Sequence, residues 1–187
     1  MSGTAVSISR THWSDAATRF VVLNVAGGVA VLASYAWGLA RLGSEASRAW
    51  GGVPEGFRPL YEASMCTAAA GYFPMSLFVL RELRRDGGEA AKAVNLLYGA
   101  ILGCSAVWLP LTCAMIQSPS AALWWAIRID LAIVGIASLC VLALVLSRRP
   151  EGGRAWWACA VVGALAFCLQ TAVLDAVVWP AYFPAPR

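Results

Sequence analysis

Five long apolar segments, separated by shorter polar ones, dominate the pattern of hydrophobic and polar positions along this chain of 187 residues. A bilayer core of about 30 Å is crossed by about 20 residues of α-helix. The apolar segments reach that length and therefore predict an all-α membrane bundle of five transmembrane helices. The predicted helices cover about residues 20–39, 60–80, 93–116, 121–146 and 156–179.

The polar segments set the expected domain organisation. Residues 1–19 form a polar tail that lacks the apolar core and cleavage site of a secretory signal peptide. Residues 40–59 form the longest predicted loop, and residues 181–187 form a short tail rich in proline. Because no long tract of Pro, Gly or Ser divides the remainder, residues 20–180 are predicted to form a single membrane domain.

Composition agrees with this interpretation. Hydrophobic residues make up 60% of the chain and charged residues 13%, whereas soluble domains have roughly 45–50% and 25%. The net charge of +4 comes from basic residues in short loops, not from one basic patch interleaved with aromatic residues. We therefore expect a lipid bilayer as the partner of this chain and no nucleic acid.

Motifs for catalysis or metal binding are missing from the sequence. All six cysteines lie in apolar segments without a CxxC pair, and the one histidine, His12, lies outside them. Neither a disulfide framework nor a metal site is predicted. The chain also has no phosphate-binding glycine loop, HExxH or GxSxG. No cofactor is predicted, and the pattern favours a protein that is not an enzyme, although intramembrane enzymes can lack such motifs.

The distribution of basic residues predicts the orientation. Five spans place the two chain termini on opposite sides of the membrane. The side that holds the amino terminus carries nine basic residues and the other side four, so the amino terminus is predicted inside and the carboxyl terminus outside. The nine are Arg10, Arg19, Arg81, Arg84, Arg85, Lys92, Arg148, Arg149 and Arg154, and the four are Arg41, Arg48, Arg58 and Arg187.

Three ionisable residues lie within the apolar segments and are candidates for function, because such groups are costly in hydrocarbon. Arg128 and Asp130 lie roughly 12 and 15 Å below the start of helix 4, and Asp175 lies roughly 7–8 Å below the same surface. We predict a pair between Arg128 and Asp175. Residues two apart project to opposite sides of a helix, so Asp130 is expected to face helix 1, 2 or 3. Its candidate partners there are Asn24, Tyr35, Asn95 and Glu62.

Several residue patterns resemble the translocator protein family, also called tryptophan-rich sensory proteins. The chain has nine tryptophans, five spans and one long first loop. Trp108 and Pro110 follow Tyr98 as in the third helix of that family, and Asp130 lies in an apolar fourth helix. The Trp-x-Pro-Pro segment of the family is replaced by residues 50–54, and Arg128 has no counterpart. Further similar segments are Leu60-Tyr61 with Met65, Arg81-Glu82-Leu83, Lys92-Ala93-Val94 before Leu97-Tyr98, and Leu165-Ala166-Phe167 before Trp179.

The resemblance implies a cavity between the helices that binds porphyrins, sterols or similar flat apolar ligands under the first loop. The chain is then expected to bind or transport a small, mostly apolar ligand. Trp50 and Phe57 would form the lid, and Arg128 would anchor an acidic ligand group. The full set of candidate ligand-binding residues is Arg128, Asp130, Asp175, Trp50, Phe57, Asn24, Tyr35, Glu62 and Asn95.

Two other functions stay open at this point. In the first, the chain is a structural or assembly subunit whose intramembrane charges form structural ion pairs. Small residues that recur every four positions in helix 1, from Ala26 to Gly38, and in helix 3 would then dock a partner or a second copy. In the second, Asp130, Asp175 and Glu62 form a proton path. The first requires the intramembrane charges to satisfy one another, and the second requires water at Asp130.

Overall fold

The computed structural model describes residues 15–86, 89–148 and 153–186. These residues form helices and turns without a strand, and five helical stretches are long and apolar enough to cross a membrane. The predicted all-α bundle of five spans is therefore confirmed. The long helices are α1 (Asp15–Leu42), α2 (Arg58–Asp86), α3 (Glu89–Gln117), α4 (Ala121–Ser147) and α5 (Arg154–Cys168), followed by a π-helix (Leu169–Val178) and a last turn, α6 (Trp179–Tyr182).

The helices extend beyond the predicted apolar segments. The first helix begins at Asp15, where a carboxylate in the first turn complements the helix dipole. The last five residues of the predicted polar tail are therefore helical, while residues 1–14, including His12, lie outside the described part of the chain. The predicted loop at 40–59 contains two 3-10 helices, Gly43–Trp50 and Glu55–Phe57.

Neighbouring helices pack in a definite order around the bundle. Helix α1 packs mainly against α3, α3 against α4, α4 against α5 and its π-helical continuation, and α5 against α2. Two groups of buried apolar side chains fill the interior. One lies around Tyr98 and Met75. The other lies around Leu109 and Ile127, towards the end of the bundle that carries residues 43–57 and 179–186. We call that end the loop end.

Two glycines form a close crossing between α2 and α5. A Cβ atom at Gly71 of α2 would lie 2.7 Å from the carbonyl oxygen of Gly163 in α5. A Cβ atom at Gly163 would meet the backbone of Gly71 and the ring of Pro74. Since backbone atoms cannot yield as flexible side chains do, only glycine permits α2 and α5 to approach this closely.

The small residues of α1 do not share one environment. Gly38 is buried, and a Cβ atom there would overlap the side chain of Leu109 in α3. Ala26 and Ala30 are exposed on the surface of the bundle. The predicted stripe therefore packs within the chain at one end only, and its other end lies on the lipid-facing surface.

The first loop and the chain's last residues cover the loop end together. The indole Nε1 of Trp179 donates a hydrogen bond of 3.0 Å to the carbonyl oxygen of Ala49, and the amide of Gly52 donates one of 2.9 Å to Tyr182. Gly51 has a φ angle of +58°, and a Cβ atom there would lie 2.9 Å from the Phe183 ring. Glycine is thus required where the loop meets the tail.

Candidate functional site

Five polar side chains from four helical segments meet below this cover, and we call them the loop-end polar cluster. They are Tyr35 of α1, Tyr61 of α2, Asp130 of α4, and Gln170 and Asp175 of the π-helix. The Tyr61 hydroxyl donates a hydrogen bond of 2.7 Å to Asp175 Oδ1. The amide nitrogen of Gln170 donates one of 2.9 Å to the same oxygen. Asp175 is therefore held by two donors from different segments.

The π-helix makes the contact between Gln170 and Asp175. In an α-helix each residue advances by about 100°, so residues five apart point in directions about 140° apart. A π-helix has a wider turn, with hydrogen bonds between residues five apart, as between the amide of Trp179 and the carbonyl oxygen of Leu174. This wider turn brings Gln170 and Asp175 to the same face of the helix. Such segments are frequent at functional sites.

Asp130 has a different environment from Asp175. It is 8% exposed, and its Oδ2 atom is buried without a hydrogen-bond partner. The Cys104 thiol of α3 lies beside its carboxyl group. The Tyr35 hydroxyl of α1 is within electrostatic range of both carboxyl groups. The expectation that Asp130 faces helices 1 to 3 thus agrees with its neighbours on α1 and α3.

Three further polar atoms in the same half of the bundle lack partners, and one of them is the buried Nε atom of Arg128. Gln170 is 4% exposed and its Oε1 atom is buried without a hydrogen bond, and the same holds for the indole Nε1 of Trp108. Buried polar groups are hydrogen-bonded in the large majority of cases. The loop-end polar cluster therefore retains two unused acceptors, and unused donors lie in the same half of the bundle.

Aromatic rings surround the cluster. The ring centroids of Tyr35 and Trp108 are 5.8 Å apart. Those of Trp108 and Trp179 are 5.7 Å apart in an edge-to-face arrangement. On the other side the Trp50 ring of the first loop packs at 5.6 Å against Tyr61. The predicted contribution of Trp50 to a cover over the site agrees with this position.

The predicted pair between Arg128 and Asp175 is wrong. A guanidinium nitrogen of Arg128 donates a hydrogen bond of 2.6 Å to the carbonyl oxygen of Pro180, and the group lies 3.8 Å from the ring centroid of Trp124. Trp124 is four residues earlier on the same helix face, and the chain end returns over it. Arg128 thus binds the tail, and its Nε atom is buried without a partner, while hydrogen-bond donors without formal charge take its place at Asp175.

Four other predicted site residues lie away from the cluster. Phe57 is 60% exposed, so it does not close over the site, and Glu62 is exposed on α2. Asn24 accepts a hydrogen bond from the Tyr72 hydroxyl, and Asn95 donates to the carbonyl oxygens of Ala16 and Ala91. Both asparagines belong to the opposite half of the bundle, because they lie near the beginnings of α1 and α3.

Tyr61, Gln170 and Cys104 are cluster residues or direct neighbours that the sequence analysis did not select. The five-residue spacing of Gln170 and Asp175 is informative only if a π-helix is known to form there. Tyr61 belongs to the first turn of α2, where a tyrosine is also typical of a membrane interface. No local pattern distinguishes Cys104 from the other cysteines in apolar segments.

A pocket of about 230 Å³ lies elsewhere at the loop end, between the first loop, the end of α3 and the tail. Its lining includes Arg48, Ile116 and Phe183 and none of the nine predicted site residues.

The fold and the cluster define a class. The chain is a multi-pass membrane protein with a polar, aromatic-lined cluster under a cover formed by the first loop and residues 179–186. No protein family, curated protein or solved structure matches it.

Proposed function

We propose that this protein binds or transports a small, mostly apolar ligand between its helices at the loop end, under the first loop. The observation that carries the proposal is Asp130, a carboxyl group buried deep in a membrane helix with an oxygen that no described residue satisfies. Such a group is costly in hydrocarbon. A ligand that donates a hydrogen bond to the free oxygen of Asp130 would explain why an aspartate occupies this position.

The surroundings of Asp130 support a ligand role. Ligand sites are mostly apolar and aromatic, with a few polar groups that fix orientation. The loop-end polar cluster has this character, since Tyr35, Trp108 and Trp179 supply rings while Asp130 and Gln170 supply free acceptors. The first loop would act as the lid through Trp50. This arrangement agrees with the translocator resemblance, which implies flat apolar ligands under the same loop.

An assembly subunit is the second candidate. It required Arg128, Asp130 and Asp175 to satisfy one another, and among the described residues they do not. The exposed end of the small-residue stripe at Ala26 and Ala30 still offers a face to a second copy. Crosslinking in lipid nanodiscs would distinguish a homo-oligomer from a monomer without changing the ligand proposal.

The orientation belongs to the same proposal. With nine basic residues on the side of the amino terminus, that side would be cytoplasmic. The first loop, the chain's end and the loop-end polar cluster would then be nearest the outer surface, and a ligand would enter from outside or from the outer leaflet.

The test is quenching of tryptophan fluorescence in phosphatidylcholine nanodiscs. The probes are protoporphyrin, a sterol, a fatty acid and a long-chain amine. We expect saturable quenching by one of them, because Trp50, Trp108 and Trp179 surround the cluster. Asp130→Asn should weaken that binding about tenfold, the effect of roughly one charge-assisted hydrogen bond.

The matched control is Glu62→Gln, which removes a carboxylate from the exposed face of α2 and should leave binding unchanged. If none of the four probes gives saturable quenching, the ligand proposal is wrong. If binding is unchanged in Asp130→Asn, the ligand lies elsewhere in the bundle.

A further inference from the structure

We infer that the loop-end polar cluster recognises a positively charged organic group, an ammonium carried on an apolar body, with Asp130 as its main partner. This inference rests on the proposed ligand-binding function and names the chemical class of the ligand. It replaces the expectation that an arginine at this depth anchors an acidic ligand.

The first argument is the charge of the site. Two carboxyl groups, Asp130 and Asp175, lie within electrostatic range of the Tyr35 hydroxyl. Within the described ranges no Lys or Arg nitrogen lies within 4.0 Å of either group. The nearest arginine along the chain, Arg128, is held by Pro180 and Trp124 instead. An acidic ligand would add a like charge where dielectric screening is weak, whereas a cation would supply the missing countercharge.

The second argument is the difference between the two acids. Asp175 Oδ1 already accepts hydrogen bonds from Tyr61 and Gln170, and this fixes the carboxyl group in the cluster. Asp130 has only the weak donor of the Cys104 thiol beside it, and its Oδ2 atom is buried without a hydrogen-bond partner in a residue that is 8% exposed. The hydrogen-bond acceptor that is free to bind a ligand is therefore on Asp130, and Asp175 adds to the negative electrostatic potential of the site.

The third argument is the type of cation. Aromatic faces attract organic cations, most strongly when both are desolvated. Tyr35 and Trp108 form such a wall in the same half of the bundle, and the Tyr35 hydroxyl is within electrostatic range of Asp130. A hard metal ion instead needs six or more oxygen ligands, and the described residues contain no group of three side chains that could hold one. The wall and the single open carboxyl group fit an alkylammonium.

The test compares two probes of the same shape and different charge. One is a naphthylmethylammonium ion, whose N–H groups can donate to Asp130, and the other is its uncharged isostere ethylnaphthalene, with carbon in place of nitrogen. Binding is measured by equilibrium dialysis against the full chain in phosphatidylcholine nanodiscs, and empty nanodiscs correct for partition into lipid. We expect the cation to bind at least about tenfold more tightly, since one desolvated cation–π contact alone accounts for that ratio.

Variants then locate the effect. Asp130→Asn should reduce the preference for the cation to about equal binding and leave the isostere unaffected, whereas Glu62→Gln should change neither. If Asp130→Asn does not fold, the comparison of the two probes on the unmodified protein still decides the question. Equal binding of both probes would overturn the cation proposal and leave the ligand function standing. Failure of both probes, together with the four named above, would overturn both.

Discussion

At the scale of single residues, the two buried aspartates carry most of the argument. They have the same side chain and lie in the same half of the bundle, yet Asp175 has two hydrogen-bond donors and Asp130 has an unpartnered oxygen. A group held by donors stabilises the fold around it, whereas an unpaired buried carboxylate opposes folding. Stability measurements can therefore distinguish a structural acid from one retained for a ligand.

We expect alanine substitutions of these two residues to have opposite effects. Asp175→Ala leaves the Tyr61 hydroxyl and the Gln170 amide unpaired and should lower the free energy of unfolding by about 2–3 kcal/mol. Asp130→Ala removes an uncompensated group and should raise it by about 1–2 kcal/mol, since an aspartate at the centre of a membrane helix costs about that much or more. Unfolding in dodecyl sulfate, followed by circular dichroism, measures both. Equal losses in the two variants would show that Asp130 is also satisfied in the folded protein.

At the scale of helices, the contact of α2 with α5 depends on two residues without side chains. Gly71 and Gly163 meet through their backbones next to Pro74. Elsewhere in the bundle a glycine can be free of neighbours. A Cβ atom at Gly28 of α1 would have no heavy atom within 4 Å. The two sites form a matched pair for testing close packing.

Gly71→Ala should therefore separate α2 from α5 and lower the free energy of unfolding by about 1–3 kcal/mol, the usual cost of overpacking a tight contact. Gly28→Ala should raise it by up to about 1 kcal/mol, because alanine favours the helix and meets nothing. The same unfolding assay compares them. A small and equal effect of both substitutions would contradict the crossing described for α2 and α5.

The helices also show what could be predicted from the sequence. Apolar length gave the five spans, because hydrocarbon requires all backbone groups to be bonded within each helix. It could not predict the π-helix at Leu169–Val178, since no residue type encodes that wider turn. The pairing of Gln170 with Asp175 was therefore missed, and Arg128 was assigned to Asp175 on depth alone. Depth alone does not decide which side chains meet, because direction around each helix depends on packing that periodicity does not fix.

At the scale of the whole molecule, the cover and the cluster depend on each other. The first loop is joined to the tail by bonds from Trp179 to Ala49 and from Gly52 to Tyr182. The tail is joined to α4 by Arg128. A ligand that reaches Asp130 from the loop end must therefore pass between segments held by a few hydrogen bonds and not through the packed helices. Under the proposed function, the side of the membrane on which this end lies would decide where ligand is taken up.

The basic residues predict that side, and reporter fusions can test it in a bacterial inner membrane. Alkaline phosphatase is active only outside, and green fluorescent protein fluoresces only inside. We expect phosphatase activity from fusions after Gln117 and after the last residue, and fluorescence from fusions after Asp86 and after Ser147, because nine basic residues on one side outweigh four on the other. The reverse pattern would place the loop-end polar cluster on the cytoplasmic side, so that ligand uptake would be from within the cell. Activity of the same reporter after both Asp86 and Gln117 would contradict α3 as a span.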